Sequence, residues 1–460
     1  MTYLLKRGII YRFMFYTDWT PFFKGWFWFD VAIVGLFVLL CAHRPILTVL
    51  SLFKRRPRKY PEAKKNHKFA VVIAARNEEK VIANLVESIR RQDYPKELID
   101  IFVVADNCSD RTAIEAYEAG ATVFERFDSK KGKSFALDYA FKKLLNEYAD
   151  AGHEAYFVFD ADNLLARDYM KEMNKSFDSG VKISTCYRNS KNWGKNWITS
   201  AYALGFMAEC RFHHGGRKAT GSSTFVSGTG FFVAKEIIER DGGWNYGLLT
   251  EDIEFSVAMA MSNTKIDYNE DAMIYDEQPD NFKTSWKQRM RWAKGFYQCL
   301  RRYSGKLLKQ SFGKGSFASY DMFTFLLPQL LLILWLSLTL TVRLIAGLLG
   351  FWLYPVAGFL QSDFGSQFLL PLSCALGGYF VFVWIYGAVS AILERKRINA
   401  SFWRRFRAVA MLPLFTLTYI PIGAAALFKT VSWTPIEHKH VAKIEDMEKK
   451  DNKVHDPTLL

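Results

Sequence analysis

The stretch from Phe368 to Leu393 contains no charged side chain. A run of about 26 uncharged, mostly apolar residues is long enough to cross the hydrocarbon core of a bilayer as a helix. Only a helix or a closed barrel satisfies every backbone polar group there, so this segment predicts a transmembrane helix. It is the strongest candidate span in the chain and limits the fold to one with a membrane region.

Other apolar segments lie on both sides of a polar middle part. Trp26–Phe53 is long enough to span, although Asp30, His43 and Arg44 interrupt it, and we predict a transmembrane anchor at 26–53. Residues 1–25 are aromatic and basic, which is typical of an interfacial segment.

The C-terminal apolar region is less regular. Phe317–Leu360 is interrupted by Asp321 and Arg343 and holds one long span or two short ones, and Ala408–Phe428 contains two prolines that make it kinked or re-entrant. We predict three to four transmembrane or re-entrant helices in 316–430 and a polar tail in 431–460.

The net charge of +15 raises the question of nucleic-acid binding. The cations concentrate beside apolar segments, at 54–59, 394–397 and 404–407. This placement fits the positive-inside rule better than a nucleic-acid groove, and it predicts a lipid bilayer as partner and a cytoplasmic central domain in the cell membrane. The six scattered cysteines favour a reduced domain.

Residues 60–315 alternate between short apolar runs and amphipathic segments. Strands are predicted at Phe69–Ala74, Leu98–Ala105, Ala121–Phe124 and Ala155–Phe159. Helices are predicted at Glu78–Arg91, Asp110–Ala119 and Lys133–Leu145. Alternation of this kind predicts an α/β domain with a doubly wound, mostly parallel sheet.

Polar side chains follow several of these strands. Asn77, Glu78, Asp106 and Asp160 each lie just past a predicted strand end, where ligands bind in open parallel sheets. Each of them alone is more often a helix or turn cap. Their shared position at one edge of the sheet favours a binding site.

Asp160-Ala-Asp162 places two carboxylates one residue apart where a buried strand ends. Such a pair can bind one hard divalent cation, Mg²⁺ or Mn²⁺, that also binds diphosphate oxygens. The motif is common, and its position after a strand is what strengthens the prediction.

Thr250-Glu-Asp252 follows a glycine-rich stretch and precedes a helical pattern. Thr250 is a natural N-cap with Asp252 in the first turn, and this structural explanation is as good as the chemical one. In the chemical explanation Asp252 is a general base that takes a proton from a hydroxyl group.

Gln288-Arg-Met-Arg-Trp292 lies in a basic, aromatic stretch that we predict to be an interfacial helix near 283–305. Arg289 and Arg291 can clamp diphosphate oxygens, and Trp292 can stack on a sugar ring. An amphipathic helix on the membrane surface explains the same residues without a site.

Three further patterns carry less weight. Lys130-Lys-Gly-Lys-Ser134 is not a Walker A loop because Phe127 stands where glycine is required, although Lys133 could meet a phosphate. Gly228 and Thr229 lie in a small-residue loop that permits close approach of a ligand. His213-His214 lacks the spacing of two ligands to one metal.

These residues, in this order, resemble the family 2 glycosyltransferases, especially the processive membrane synthases of cellulose, hyaluronan, chitin and poly-N-acetylglucosamine. The resemblance covers roughly residues 65–315 and implies a GT-A-like fold in the cytosol, fused to helical spans. It implies donor binding by Ala75, Asn77, Glu78, Asp106, Lys133, Asp160, Arg289 and Arg291. It also implies a metal site of Asp160 and Asp162, Asp252 as the catalytic base, and acceptor contacts of Gly228, Thr229, Glu251, Gln288 and Trp292.

The resemblance implies an inverting transfer of a sugar, UDP-glucose or UDP-N-acetylglucosamine being the expected donor, to a growing β-linked polysaccharide that is exported. A non-processive glycolipid transferase is the first alternative, with a glycolipid acceptor. An inactive membrane scaffold or transporter is the second. An accessory subunit or a homo-oligomer is compatible with the small number of spans.

Overall fold

A computed structural model describes residues 20–53, 59–353, 370–432, 435, 438 and 441–447. Most of the predicted interfacial segment at 1–25, the basic residues 54–58 and the end of the polar tail lie outside the described residues. The chain divides into two compact units, one formed by residues up to 43 together with 327–385, and one formed by 44–326 together with the residues from 386 onward.

The second unit is built on one sheet of eight strands, in the order β3-β2-β1-β4-β7-β6-β8-β5. The strands are β1 (Phe69–Ala75), β2 (Ile99–Asp106), β3 (Thr122–Arg126), β4 (Ala155–Asp160), β5 (Leu164–Leu165), β6 (Ile183–Ser190), β7 (Phe231–Ala234) and β8 (Asp267–Asp276). β1 pairs in parallel with β2 and β4, and β2 with β3. The predicted mostly parallel α/β sheet is therefore confirmed.

The other half of the sheet is mixed. β7 runs antiparallel to both β4 and β6, β6 and β8 are parallel, and the short edge strand β5 is antiparallel to β8. The register of β6 and β8 shifts between Cys186 and Tyr187. The strand pattern before Asp160 gave no indication of this half.

Two helices precede the sheet, and nine regular helices surround it or follow it as far as Gly313. They are α1 (Thr20–Cys41), α2 (His43–Phe53), α3 (Ile82–Arg90), α4 (Thr112–Glu118), α5 (Lys133–Glu147), α6 (Tyr169–Asp178), α7 (Trp197–Ala208), α8 (Gly215–Thr220), α9 (Lys235–Asp241), α10 (Glu251–Met261) and α11 (Phe282–Gly313). A π-helical segment, Glu209–His214, joins α7 to α8, and short 3-10 turns occupy Lys96–Leu98 and Ala149–Ala151.

Both faces of the parallel half are covered. Val71 and Ile73 of β1 pack on one side with Leu85 of α3, whereas Val72 packs on the other side with Phe141 of α5. Successive side chains of a strand point to opposite faces, so a strand buried on both faces is a continuous apolar run. This is why the sequence predicted these strands closely.

Two predicted helices begin later than expected. The helix predicted from Glu78 starts at Ile82, and the one predicted from Asp110 starts at Thr112. The backbone amide of Glu78 donates to Thr112 Oγ1 at 2.7 Å, and that of Glu79 donates to Asp110 Oδ2 at 3.2 Å. These residues bind two strand-end loops together instead of continuing the helices.

The apolar part consists of α12 (Phe317–Leu353), α13 (Leu370–Leu393), α14 (Phe402–Leu417) and α15 (Tyr419–Phe428). Two stretches among the described residues are long and apolar enough to cross a membrane, Leu376–Leu393 and Phe402–Phe428. The α1–α2 pair would be a third if it forms one broken span.

The segment predicted as a single span at 26–53 is interrupted at Ala42. Pro45 explains the position, because a proline ring clashes with the carbonyl four residues earlier, here that of Cys41. Pro421 bears the same relation to Leu417, the last residue of α14. Asp30, the acidic residue inside α1, is buried and accepts hydrogen bonds from Trp335 Nε1 at 2.9 Å and Thr339 Oγ1 at 3.0 Å.

Within the second unit, α15 lies along α11 and α14 lies against α7. Tyr297 Oη donates to the carbonyl of Gly423 at 3.2 Å, and Lys294 Nζ donates to that of Ala426 at 3.0 Å. The helix predicted as interfacial near 283–305 lies within α11, which continues to Gly313, and it contacts one of the apolar candidate spans directly.

Candidate active site

The carboxyl ends of β1, β2 and β4 meet at one edge of the sheet, as predicted. Asn77 there adopts a left-handed backbone with φ of 57°. Its side-chain Oδ1 accepts a hydrogen bond from the amide of Ser109 at 2.9 Å. Asn77 therefore holds together the loops that follow β1 and β2, next to the buried Ala75.

Asp106 is buried at this edge, and both of its carboxylate oxygens are engaged. Arg126 donates to one oxygen, and the amide of Gly132 donates to the other at 3.3 Å. Arg126 also donates to the carbonyl of Lys130 at 2.9 Å. In this structure Asp106 fixes the loop before α5, and its predicted contact with a nucleoside stays a prediction.

Lys133, the first residue of α5, lies at the centre of the site. Its ammonium group donates to Asp160 Oδ1 and to the carbonyl of Gly228 at 2.7 Å, and lies 3.9 Å from Glu251 Oε1. Burial lowers its pKa, but the charges of Asp160 and Glu251 outweigh burial and the pKa is raised. Lys133 therefore stays cationic between the two acidic groups of the site.

The two carboxylates of Asp160-Ala-Asp162 diverge. Asp160 faces Lys133, whereas Asp162 Oδ2 accepts from the amide of Glu277 at 2.8 Å. Thr229 Oγ1 accepts from the amide of Asp160 at 2.9 Å and is buried, so in this structure it supports the end of β4. A cationic side chain of the protein lies near each of these two carboxylates at this edge of the sheet.

Among the described residues, no group of three or more His, Cys, Asp or Glu side chains is arranged to hold a metal ion. The donor set nevertheless suits one. Glu78, Asp160 and Asp162 are close enough for the charges of both aspartates to raise the pKa of Glu78, in addition to its burial. Carboxylate oxygens are the ligands that hard divalent cations prefer, so these side chains suit Mg²⁺ or Mn²⁺ by their chemistry, whereas their present arrangement does not form a metal site.

Glu251 and Asp252 form a second acidic pair, in the first turn of α10. Burial, followed by the charge of Asp252, raises the pKa of Glu251 to about 7. Burial also raises the pKa of Asp252, against the amide of Ile253 and the charges of Lys133 and Arg291. A carboxylate whose pKa is raised toward neutrality is suited to accept a proton.

Thr250 stands at the N-cap position of α10, as predicted, and Asp252 lies in the first turn, but the Thr250 hydroxyl makes no capping hydrogen bond. Its side chain packs where a Cβ on Gly295 would stand, so α10 and α11 approach closely at this point. Gly228, with φ of 84°, leaves room beside Asp252, because a Cβ there would lie 3.8 Å from Asp252 Oδ2.

The two arginines of Gln288-Arg-Met-Arg-Trp292 lie on different sides of α11. Arg291 donates to the carbonyl of Leu249 at 3.2 Å. Its positive charge opposes the rise in the pKa values of Glu251 and Asp252 that burial causes. Arg289 is fully buried, donates to the carbonyl of Phe415 at 3.2 Å and lies over the ring of Tyr419. The assignment of Arg289 to the donor is therefore corrected: it ties α11 to α14 and α15.

The remaining residues of this motif lie near aromatic side chains of α7. The ring of Trp292 is 6.0 Å from that of Tyr202 and 6.3 Å from that of Phe206, both in edge contacts. The side-chain oxygen of Gln288 is buried and has no hydrogen-bond partner among the described residues. We call Trp292, Tyr202 and Phe206 the aromatic shelf.

Several residues at the site were missed by sequence reasoning. Arg188, at the end of β6, bonds Asp276 of β8 and donates to the carbonyl of Ser227 at 3.1 Å, beside Gly228. Burial acts to raise the pKa of the Asp162 carboxyl, but the pKa is lowered because His438, and after it the buried Lys191, favour the carboxylate. His438 in the tail contacts Glu78. These contacts depend on strand pairing and on a distant segment, for which the sequence carries no local signal.

Residues 67–295 match the protein-family model described as glycosyltransferase-like family 2. The chain is 26% identical over 317 residues to the β-monoglucosyldiacylglycerol synthase of Trichormus variabilis, covering 66% of this chain and 64% of that protein. It is 24% identical over 279 residues to the poly-β-1,6-N-acetyl-D-glucosamine synthase of Staphylococcus aureus, covering 58% and 62%. The chain thus matches less than two thirds of the length of each relative.

A solved structure has the same fold. The mannosyltransferase PcManGT from Pyrobaculum calidifontis, in complex with GDP-Man and Mn²⁺, superposes with a TM-score of 0.50 at 16% identity and covers 86% of this chain and 99% of its own. The chain belongs to the glycosyltransferase-like family 2. Two of its apolar helices are long enough to cross a membrane.

Proposed function

We propose that the chain is a membrane-embedded inverting glycosyltransferase that extends a β-linked polysaccharide from a UDP-sugar and couples extension to export. The observation that carries the proposal is the acidic pair at the start of α10. Asp252 has a raised pKa and lies beside the small residue Gly228 in a site that also holds the cations Lys133 and Arg291.

The proposed chemistry is one displacement. Asp252 takes the proton from an acceptor hydroxyl, the hydroxyl oxygen bonds to the anomeric carbon, and the bond from that carbon to the diphosphate oxygen breaks. The incoming oxygen arrives opposite the leaving group, so an α-linked donor gives a β-linked product. Glu251, next to it, supports the raised pKa of the pair.

We assign the nucleotide-sugar donor to the edge of the same site that lies opposite the acceptor hydroxyl. Lys133 and Arg291 present fixed cations to the diphosphate, where negative charge increases as the bond breaks. Glu78, Asp160 and Asp162 would hold a divalent cation, which supplies Lewis-acid neutralisation of the leaving diphosphate. Asn77 and Asp106 hold the loops around the nucleoside position.

The aromatic shelf is the proposed acceptor platform. Aromatic side chains present flat apolar faces on which the C–H groups of a pyranose ring can pack. The shelf lies between α7 and α11, and these helices contact the apolar helices α14 and α15. A growing chain leaving the site would therefore move toward the membrane side of this unit.

A glycolipid acceptor is the second candidate. It is favoured by the β-monoglucosyldiacylglycerol synthase of Trichormus variabilis, which matches 66% of this chain, whereas the poly-β-1,6-N-acetyl-D-glucosamine synthase of Staphylococcus aureus matches 58%. Both candidates use the same base and donor site. They differ in whether the sugar product stays on the enzyme for another addition.

We place the enzyme in the cell membrane as a multi-pass protein with its catalytic unit in the cytoplasm. The basic residues of 394–397 lie between the two candidate spans, Leu376–Leu393 and Phe402–Phe428, and those of 404–407 lie at the start of the second one. Connections rich in arginine and lysine remain on the cytoplasmic side.

The test is turnover by the purified chain in nanodiscs with a panel of UDP- and GDP-sugars and Mg²⁺ or Mn²⁺. Release of UDP with a product ladder on a gel supports the polysaccharide synthase, and a single lipid-soluble product supports the glycolipid enzyme. If no donor is turned over in any lipid, the proposal fails in favour of a scaffold or transporter.

A further inference from the structure

A segment of the C-terminal tail lies across the donor side of the sheet. We call His438 with residues 441–447 the C-terminal strap. Ala442, Ile444 and Met447 are buried in one apolar cluster with Leu164 of β5 and Tyr275 of β8. Because β5 is the edge strand, the strap covers one end of the sheet. Burial of three apolar side chains fixes this segment to the catalytic unit.

Polar contacts fix the strap at a second place. Glu445 forms an ion pair with Arg91, which follows α3. Asp446 Oδ2 accepts from the amide of Lys443 at 3.3 Å, at the start of a single helical turn. The strap therefore has its own anchors outside the site, independent of what His438 contacts.

His438 lies between two carboxylates of the proposed donor site. Its Nδ1 is 2.8 Å from Glu78 Oε2, and its Nε2 is 4.0 Å from Asp162 Oδ2. Its side chain is 21% exposed, so water screens these contacts only in part. Lys133 makes the corresponding contact with Asp160. Each of the three donor-side carboxylates is thus paired with a cationic or cation-forming side chain of the chain itself.

We propose that His438 is a residue of the donor site that occupies the place of the divalent cation when no donor is bound, so that a nucleoside diphosphate with its cation binds by displacing His438 and loosening the strap. This inference rests on the proposed donor site. The physical reason is competition for the same oxygens. Glu78 and Asp162 cannot bind a divalent ion fully while the imidazole is held between them, because the ring nitrogens lie against the same carboxylate oxygens.

The test is the affinity of the full chain in nanodiscs for Mn²⁺ alone, from the electron paramagnetic resonance signal of free Mn²⁺. His438→Ala is expected to bind Mn²⁺ about tenfold more tightly than wild type. His438→Gln, which keeps a hydrogen-bond donor without the charge, should give a smaller gain in the same direction.

His67 offers a matched control. Its ring nitrogens also lie between two carboxylates, 2.8 Å from Glu154 Oε2 and 3.0 Å from Asp178 Oδ1, but it precedes β1 at the opposite end of the strand. His67→Ala should leave the Mn²⁺ affinity unchanged. An equal gain in this variant would mean that removing any such histidine creates a cation site, and it would overturn the inference.

Ile444→Ser removes an apolar anchor and keeps His438. It should also tighten Mn²⁺ binding, because the strap is held less firmly. Hydrogen–deuterium exchange of peptides covering 441–447 should rise in wild type with UDP and Mn²⁺ together, and stay unchanged with UDP alone.

The outcomes separate this inference from the proposed function. Unchanged or weaker Mn²⁺ binding in His438→Ala overturns the inference alone, since weaker binding would make His438 a ligand. If no sugar is transferred but the predicted gain in Mn²⁺ affinity is found, the proposed function is overturned, whereas the competition between His438 and the cation is still supported. Absence of Mn²⁺ binding in every variant overturns the inference, because no cation would then compete with His438, and turnover of a UDP-sugar would still support the proposed function.

Discussion

The two acidic pairs of the site differ in how their charges are balanced. Asp160 and Asp162 follow β4, point apart, and face separate cations, Lys133 and His438. Glu251 and Asp252 are adjacent in the first turn of α10, share the fields of Lys133 and Arg291, and have raised pKa values. Both pairs are short acidic motifs in the sequence, yet only the second is held ready to take up a proton.

The difference follows from the local backbone. β4 ends at Asp160, so the alternation of a strand no longer places Asp162 on the same face, and each carboxylate finds its own partner. Neighbouring residues at a helix start are held close together in a buried place, and burial disfavours two adjacent negative charges. We therefore infer a binding role for the first pair and a proton-transfer role for the second.

The largest expected effect is that of Asp252→Asn. Removing the general base should lower kcat for sugar transfer by about a thousandfold. UDP binding, measured by isothermal titration on the same preparation, should stay within a few-fold of wild type because the donor carboxylates are untouched. Transfer at more than a tenth of the wild-type rate would contradict the assignment of proton transfer to the second pair and of binding to the first.

Asp160→Asn tests the other pair. The Mn²⁺ concentration for half-maximal transfer should rise by about a hundredfold, the upper end of what loss of even an outer-shell partner costs. The acid side of the pH–rate profile should stay in place. Asp128→Asn, an exposed aspartate on the loop after β3, is the control and should change neither quantity.

Glu251→Gln tests the coupling inside the second pair. The base must be unprotonated, so the transfer rate of wild type is full above the raised pKa of Asp252 and falls as pH decreases through it. Removing the charge of Glu251 lowers the pKa of Asp252, and the acid limb of kcat/KM should move down by about one pH unit. A limb that stays in place would show that the two carboxylates titrate independently.

The positions of most residues in the two acidic pairs could be predicted from the sequence, but the side chains that balance their charges could not. Asn77, Asp106 and Asp160 were predicted at one edge because each follows a buried strand of the parallel half. The partners Arg188 and His438 were missed because they come from the mixed half of the sheet and from the tail. Thr250 was predicted correctly at the N-cap of α10, but its packing against Gly295 was missed because it depends on how α10 meets α11.

Arg289 and Arg291 provide the smallest and most selective test. Residues two apart on a helix point about 200° from each other, so both cannot clamp one diphosphate. Arg291→Gln removes a cation that favours the ionised pair, and the acid limb of the pH–rate profile should move up by about half a pH unit. Arg289→Gln should leave that limb in place.

Instead, Arg289→Gln should lower the free energy of unfolding of the second unit by about 2 kcal/mol, because buried carbonyl groups lose their donor. Thermal unfolding in nanodiscs measures this loss. If the pH profile moved with Arg289→Gln and the stability did not, the buried guanidinium would act on the acidic pair after all. The distinction between charges that hold helices together and charges that set the proton affinity of the base would then be lost.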